Sequence, residues 1–159
     1  MAPDVMVLLG SKTDYPVAEK CLKVLADLGI GHECHVASAH RTPAYVEELV
    51  RKRGAKVFVG MAGMAAHLPG VIAAMTTRPV IGVPCSGGVG LDSLLSIVQM
   101  PPGVPVATVG MDRGDNAGWL AAEMLALSDA ALGKRIEAAR RKAAEKVMAD
   151  DASLPKGGA

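Results

Sequence analysis

Short apolar runs rich in β-branched residues alternate along the chain with longer stretches in which apolar residues recur every three or four positions. The short runs cover residues 5–9, 32–37, 56–60, 79–83 and 104–109. The longer stretches cover residues 14–28, 42–53, 65–75, 91–98 and 116–127. Such alternation is typical of βα units, because the two periods belong to strands and helices respectively. The pattern therefore predicts a parallel sheet of five strands.

Glycine and proline mark the ends of several predicted helices. Gly29 follows the first helix and Gly54 the second, whereas Pro43 stands in the first turn of the second helix, where its missing N–H costs nothing. Right-handed crossovers between parallel strands place helices on both faces of the sheet. The predicted fold class is a doubly wound three-layer α/β sandwich, with the ligand site at the carboxyl ends of the strands.

The chain continues beyond the fifth unit with one more helical stretch. Residues 131–149 carry an apolar stripe that the predicted sheet leaves without a surface to cover: Ile136, Ala139, Ala143 and Val147. Residues 150–159 contain Pro155 and Gly157 and are expected to be a flexible tail. The predicted organisation is an α/β domain over residues 1–130, an extra C-terminal helix over 131–149 and a tail over 150–159.

Charge and composition narrow the classes of partner. The net charge is +1, and the basic residues near 134–142 are interleaved with Glu137 and Glu145, as on a solvated helix face. This balance gives no support to nucleic acid or a membrane surface as a partner. The start of the chain has no basic leader, and no apolar stretch is long enough to span a bilayer, so a cytoplasmic protein is expected.

The three cysteines do not form a recognisable framework. Cys21, Cys34 and Cys85 are odd in number and are spaced unlike metal or disulfide sites. Cys85 lies in the glycine-rich loop over residues 84–90, where it is an alternative candidate for a nucleophile. No acid-base partner is adjacent to it in the sequence, which disfavours that alternative.

The loop after the first strand has the composition of a phosphate or ribose site. Residues 10–14 supply a glycine, two hydroxyls and a carboxylate at the start of a helix, with Ser11, Thr13 and Asp14 as the candidates. Helix N-terminal amides and hydroxyls can hold a phosphate, while a carboxylate accepts from ribose hydroxyls. The loop matches neither the P-loop nor the dinucleotide fingerprint. An ordinary N-cap role for Asp14 explains the residue equally well.

The loop after the second strand places a hydroxyl, an imidazole and a guanidinium within four residues. Ser38, His40 and Arg41 provide them. Arginine can clamp a phosphate with two hydrogen bonds, and histidine can move a proton near neutral pH. A capping turn with two exposed side chains is the competing interpretation. The position of this loop at the carboxyl end of a strand favours the functional interpretation.

The loop after the third strand combines small residues with a second histidine. Its glycine and alanines, Gly63 among them, would let the backbone approach a flat ligand, and His67 follows at the start of a helix. A histidine here could also be a structural hydrogen bonder. Two histidines in neighbouring loops, without acidic residues or cysteines at ligand spacing, indicate proton transfer and no metal site.

Four linked motifs resemble one known family. Residues 10–14, 38–43, 65–70 and 92–101, in this order and spacing, closely resemble the N5-carboxyaminoimidazole ribonucleotide mutase family, and the likeness runs from about residue 5 to 130. The resemblance implies a flavodoxin-like domain, a homo-octamer in which the final helix packs on neighbouring subunits, and an aminoimidazole ribonucleotide as substrate. It also implies catalysis without a metal or organic cofactor.

The resemblance further assigns roles to individual residues. His40 would be the general acid and base. Ser11, Asp14 and Arg41 would hold the ribose phosphate, supported by Thr13 and Ser38. His67, the second catalytic candidate, would frame the carboxylate pocket together with Gly63 and Leu68.

Two departures from the family pattern lie near that pocket. The segment between Pro84 and Leu91 is about two residues shorter than in typical bacterial members, and Met64 stands where they usually have glycine. A sister class that carboxylates aminoimidazole ribonucleotide directly usually has asparagine at the position of His67, so the histidine favours the mutase. A non-catalytic nucleotide-binding module is the alternative from another class. A flavin carrier is disfavoured because few aromatic residues are available to stack on the ring.

Overall fold

A computed structural model describes residues 2–87 and 90–157 of the chain. Five parallel strands form one sheet in the order β2-β1-β3-β4-β5. The strands are β1 Val5–Leu9, β2 His32–Val36, β3 Val57–Ala62, β4 Val80–Pro84 and β5 Ala107–Thr108. The helices are α1 Tyr15–Asp27, α2 Pro43–Glu47, α3 Leu68–Met75, α4 Gly90–Val98, α5 Gly114–Ala126 and α6 Ala130–Ser153. This order confirms the predicted three-layer α/β sandwich with a five-stranded parallel sheet.

The two faces of the sheet are buried under different helices, as the period of a strand requires. In β1, Val5, Val7 and Leu9 point to the side covered by α1, α5 and the start of α6. Met6 and Leu8 point to the side covered by α2, α3 and α4. All five residues of β1 are fully buried. A parallel strand covered on both faces is apolar throughout, which is why this run has no polar alternation.

Two glycines in the central strands bring helices close to the sheet. Gly60 of β3 pairs with Gly82 of β4. A Cβ atom at Gly60 would lie 3.0 Å from Cα of Pro69, and one at Gly82 would lie 2.4 Å from Cγ2 of Ile97. Both approaches require the absence of a side chain. They seat the N-terminal end of α3, and with it the loop after β3, directly against the sheet.

The fifth strand is much shorter than the prediction. The apolar run over residues 104–109 yields only Ala107–Thr108 as strand, paired with Ile81 and Gly82. Pro105 lies within the run and has no N–H to donate to a sheet ladder. The apolar pattern alone therefore overestimated the length of this edge strand.

The second and third helices also differ from their predicted forms. The helical segment that begins at Pro43 continues to Arg53 as predicted, but its last part, Glu48–Arg53, has π-helical hydrogen bonding. The third helix begins at Leu68 and not at residue 65, because Ala66 has a φ of 40°, which no α-helical residue adopts. Residues 65–67, which were predicted to be helical, instead belong to a turn that lines the candidate site.

The C-terminal helix is longer than predicted, and the part of it that packs on the rest of the chain is its first part. It runs to Ser153, four residues beyond the expected end, and Asp129 caps it by accepting from the N–H of Leu132 at 3.0 Å. Ile136 is buried, whereas Val147 is 66% exposed. Gly88, Val89, Gly158 and Ala159, which belong to the predicted loop and tail, lie outside the described residues. Within residues 2–87 and 90–157, no helix combines the length and hydropathy that a membrane span needs.

Candidate functional site

The loops that follow β1, β2 and β3 surround a cavity of 590 Å³ at the carboxyl ends of these strands. The strands are neighbours in the sheet, so their loops meet although they are far apart in the sequence. The structure places every residue that the sequence singled out for the site in the cavity lining: Ser11, Thr13, Asp14, Ser38, His40, Arg41, Gly63, His67 and Leu68. The topological argument for the position of the site thus agrees with the structure.

The loop after β1 is held by its own polar side chains. Ser11 Oγ accepts from the N–H of Thr13 at 3.3 Å and from the Thr13 hydroxyl at 3.0 Å. The carboxylate of Asp14 in turn accepts from the N–H of Ser11 at 3.1 Å. Asp14 precedes α1 but makes no side-chain hydrogen bond to that helix. Its carboxylate forms a capping box with Ser11 at the short helical turn before α1 and also lines the cavity, so the residue combines a capping role with a position open to a ligand.

The environment of Asp14 disfavours its charge. Burial raises the pKa of the Asp14 carboxyl, the hydrogen bond from the N–H of Ser11 opposes that shift, and the nearby carboxylate of Asp112 adds to it. A half-buried carboxylate of this kind is stabilised by any further donor. Hydroxyl groups of a ribose are donors of suitable size and polarity for this position.

The loop after β2 is also internally bonded, and its arginine reaches across to the first loop. The hydroxyl of Thr42 accepts from the N–H of Ser38 at 2.9 Å, and Ser38 Oγ accepts from the N–H of Arg41 at 3.2 Å. Arg41 Nη2 donates to the carbonyl of Gly10 at 3.0 Å. The guanidinium therefore lies next to the hydroxyls of the first loop, with donors remaining for a ligand.

The two histidines of the site contact each other. Nε2 of His40 and Nδ1 of His67 are 2.8 Å apart, and the rings meet edge to face with centroids 4.9 Å apart. One nitrogen donates and the other accepts, so the rings share one hydrogen bond. This contact joins the loops after β2 and β3 through their two imidazoles.

The loop after β3 has a strained backbone. Met64 and Ala66 have φ values of 54° and 40°, in the left-handed region that costs a residue with a side chain about 1–2 kcal/mol. The N–H of Ala66 donates to the carbonyl of Gly63 at 3.0 Å and closes the turn. A Cβ atom at Gly63 would lie 3.3 Å from the carbonyl oxygen of Cys85. This close approach fixes the loop against the segment that follows β4.

Comparison with known proteins shows the family to which this chain belongs. The sequence matches the family described as AIR carboxylase over residues 4–146. This chain belongs to the AIR carboxylase family. The N5-carboxyaminoimidazole ribonucleotide mutase of Methanocaldococcus jannaschii is 53% identical to it over 148 residues, which cover 92% of this chain and 94% of that relative.

Two further proteins are similar to this chain. The phosphoribosylaminoimidazole carboxylase of Candida glabrata is 47% identical over 96% of this chain, which spans only 28% of that protein. The crystal structure of a variant of Treponema denticola PurE2 superimposes with a TM-score of 0.85 at 27% identity, covering 98% of this chain and 100% of that one. With the five-stranded parallel sheet, this likeness confirms the flavodoxin-like fold.

Sequence reasoning about the family motifs missed one residue that shapes the site from outside them. Asp112, which follows β5, accepts from the N–H of Ser86 at 2.9 Å and donates its own N–H to the carbonyl of Pro84 at 2.9 Å. These bonds hold the segment that leads to Gly87, which lines the cavity. No local pattern could have indicated this role, because 26 residues separate Asp112 from Ser86.

The alternative nucleophile suggested by the sequence is not suited to that role. Cys85 is buried, and burial, with smaller contributions from the carboxylates of Asp14 and Asp112, raises the pKa of its thiol to about 12. Its Sγ donates to the carbonyl of Val83 at 3.8 Å. A thiol that stays protonated at neutral pH is a poor nucleophile. Among the described residues there is also no group of three histidine, cysteine or acidic side chains arranged to hold a metal ion.

Proposed function

We propose that this chain is an N5-carboxyaminoimidazole ribonucleotide mutase of purine biosynthesis, which converts its substrate to 4-carboxy-5-aminoimidazole ribonucleotide. The observation that carries the proposal is the contact of 2.8 Å between His40 and His67 inside a cavity that also contains Arg41 and Asp14. This arrangement combines proton transfer with binding of a phosphorylated sugar. The 53% identity to a relative named for the mutase supports the same conclusion.

The loops after β1 and β2 bind the ribose phosphate in this proposal. Arg41 lies across the first loop and supplies the positive charge, while Ser11 supplies a hydroxyl at the mouth of the cavity. Asp14 accepts from ribose hydroxyls, which would stabilise its half-buried carboxylate. Thr13 and Ser38 hold these groups in place through the hydrogen bonds to Ser11 and Arg41.

His40 is the general acid and base. Protonation of the carbamate nitrogen breaks the N–CO2 bond and releases CO2, and the electron pair of that bond stays on the nitrogen. C4 of the imidazole then attacks CO2, and the same base removes the C4 proton, so the proton balance closes. His40 gives a proton in one step and regains one in the next, and its hydrogen bond to His67 holds the imidazole in position.

The loop after β3 holds the carboxylate and the transient CO2. His67, Gly63 and Leu68 frame this end of the cavity, and Leu68 is buried beneath it. The apolar wall excludes water and retains CO2 in the cavity until C4 attacks it. The steps consist of proton transfer and retention of CO2, so we extend the proposal to catalysis without a metal or organic cofactor. Activity that survives exhaustive chelation would support this extension, and activity that a metal restores would contradict it.

One assay tests the reaction against its alternatives. The purified chain is given either N5-carboxyaminoimidazole ribonucleotide or aminoimidazole ribonucleotide with bicarbonate, and formation of the 4-carboxy product is followed. We expect fast turnover of the first substrate and little product from the second. The His40→Asn chain under the same conditions controls for spontaneous loss of CO2 from the substrate.

The other outcomes identify other functions. Preference for the second substrate would make the chain a direct carboxylase, the activity in the name of the Candida glabrata relative. Binding of both nucleotides without turnover of either would indicate a non-catalytic nucleotide-binding module.

We further propose that the chain is a cytoplasmic homo-octamer in which the outer part of α6 packs on neighbouring subunits. Ile136 packs within the chain, but Val147 on the same predicted apolar stripe is 66% exposed. Among the residues that the structure describes, truncation after Arg140 removes only ones that are exposed in the single chain, whereas truncation after Leu132 would also remove Ile136.

Assembly is therefore tested with the truncation after Arg140 and with full-length Val147→Lys, both by light scattering. We expect both variants to give species smaller than the octamer, because each alters the exposed part of the stripe. Intact octamers in both would contradict the role of α6.

A further inference from the structure

A methionine at the cavity has a backbone conformation that side chains disfavour. Met64 lines the cavity with a φ of 54° and a side chain that is 76% exposed. In the left-handed region Cβ crowds the following carbonyl oxygen, so residues with side chains persist there only where the surroundings compensate. The interior of the chain supplies little compensation to a side chain this exposed.

The neighbouring left-handed residue shows what compensation looks like. Ala66 has a φ of 40°, but its methyl group is only 4% exposed and packs in the core that α2, α3 and α4 form on the sheet. Burial of that methyl offsets the strain at Ala66. Met64, two residues earlier in the same turn, has no such burial. Strain of this kind at a site is an indication of function.

The position of Met64 indicates which part of the ligand it would touch. It lies between Gly63 and the turn that leads to His67, and His67 contacts His40 at 2.8 Å. The reacting imidazole must lie beside these histidines, whereas the phosphate end lies near Arg41. Met64 is therefore at the base end of the cavity. A thioether is polarizable and adapts its shape, and it makes favourable contacts with aromatic rings.

We propose that Met64 covers the aminoimidazole ring of the substrate and thereby selects a flat heterocycle at the base end of the cavity. This inference rests on the proposed function. The contact between the ring and the thioether buries the exposed side chain and offsets the strain of the turn. Met64 then contributes to the affinity for the base and not to the affinity for the ribose phosphate.

The test uses calorimetric titration of two ligands that differ only in the base. Full-length wild type, Met64→Ala and Met64→Gly are titrated with aminoimidazole ribonucleotide and with ribose 5-phosphate. Leu127→Ala is the matched control, because Leu127 is an apolar residue that is 90% exposed and does not line the cavity. Thermal midpoints of all four proteins are measured without ligand.

We expect Met64→Ala and Met64→Gly to bind the aminoimidazole nucleotide about fivefold more weakly or worse, with unchanged affinity for ribose 5-phosphate. Met64→Gly should melt about 2 °C or more above Met64→Ala, because only glycine relieves the left-handed strain. Leu127→Ala should bind both ligands as wild type does. This pattern separates a contact with the base from a purely structural role.

Three results would overturn the inference. The first is wild-type affinity of Met64→Ala for the nucleotide. The second is an equal loss of affinity for both ligands, which would indicate general support of the loop. The third is a wild type that does not bind the aminoimidazole nucleotide. If wild type turns over its substrate and Met64→Ala binds as tightly, only the inference about Met64 fails. If wild type does not bind the aminoimidazole nucleotide, the proposed function fails and this inference fails with it.

Discussion

The loops after β1 and β2 are stabilised differently from the loop after β3. In the first two, Ser11, Asp14 and Ser38 bond to the backbone of their own loops. The third is a tight turn with left-handed Met64 and Ala66. Side chains bonded to their own backbone hold a loop in one place before any ligand arrives. A strained turn stores free energy that contacts with a ligand can offset.

This difference between the loops corresponds to different binding properties at the two ends of the cavity. The bonded loops present charge and hydroxyls in fixed positions, which suits the binding of a phosphorylated sugar. The strained turn presents small and apolar groups beside His67, which suits a pocket for CO2 and a flat base. His40 belongs to the second loop but contacts the third, so it joins the two regions. Variants of the two regions should therefore affect different kinetic constants.

The largest effect is expected where the two regions meet. His40→Asn keeps the size and some hydrogen bonding of the side chain but cannot titrate, so kcat should fall by about 10²-fold or more. Nucleotide affinity and the thermal midpoint should stay close to those of wild type. His32→Asn, at the other end of β2, is the control for loss of an imidazole. A folded His40→Asn protein with more than about a tenth of wild-type kcat would exclude His40 as the essential acid and base.

A smaller effect, confined to KM, is expected in the bonded loops. Arg41→Ala removes a charged donor that acts on ground and transition states alike, so KM should rise about 10- to 100-fold with little change in kcat. Arg41→Lys keeps the positive charge but lacks the planar guanidinium, so its KM should lie between those of wild type and Arg41→Ala. Steady-state kinetics on the three proteins decides the matter. A collapse of kcat at constant KM would contradict the binding role.

The smallest effect concerns stability and its dependence on pH. Because the pKa of Asp14 is raised in the folded chain, its contribution to stability is present below the pKa of the unfolded chain and is lost as pH rises through the folded pKa. The Asp14→Asn protein has no ionisable group at this position, so its stability does not fall in this way as the pH rises.

Its thermal midpoint relative to wild type should therefore rise from about pH 4 upward and level off once the pH exceeds the raised pKa of Asp14 in the folded chain. Thermal melts from pH 4 to 8 measure this difference, and a difference that falls with pH would show that the carboxylate is stabilised in the fold. KM of Asp14→Asn should rise only a few-fold, about 3- to 10-fold, as one charged acceptor is lost.

Much of the fold and most of the site could be predicted from local pattern. The run from Val5 to Leu9 is apolar at every position because its strand is covered on both faces, and that run is the strand observed. The loops at Ser11 and Ser38 carry their own capping side chains, so their positions follow from neighbouring residues. The fifth strand could not be judged in this way, since Pro105 shortens a run whose apolar residues are otherwise suitable.

The residue types, their spacing and the order of strands and loops along the chain determine that Ser11, His40 and His67 meet at one edge of a parallel sheet. This follows from local hydrogen bonding and from the handedness of crossovers, which act on any chain of this pattern. Tertiary structure alone decides that His40 bonds to His67, that Asp112 holds the segment at Ser86, and that Met64 is left-handed. These features depend on ångström-scale packing between segments distant in sequence, and a periodic pattern does not encode distances of that kind.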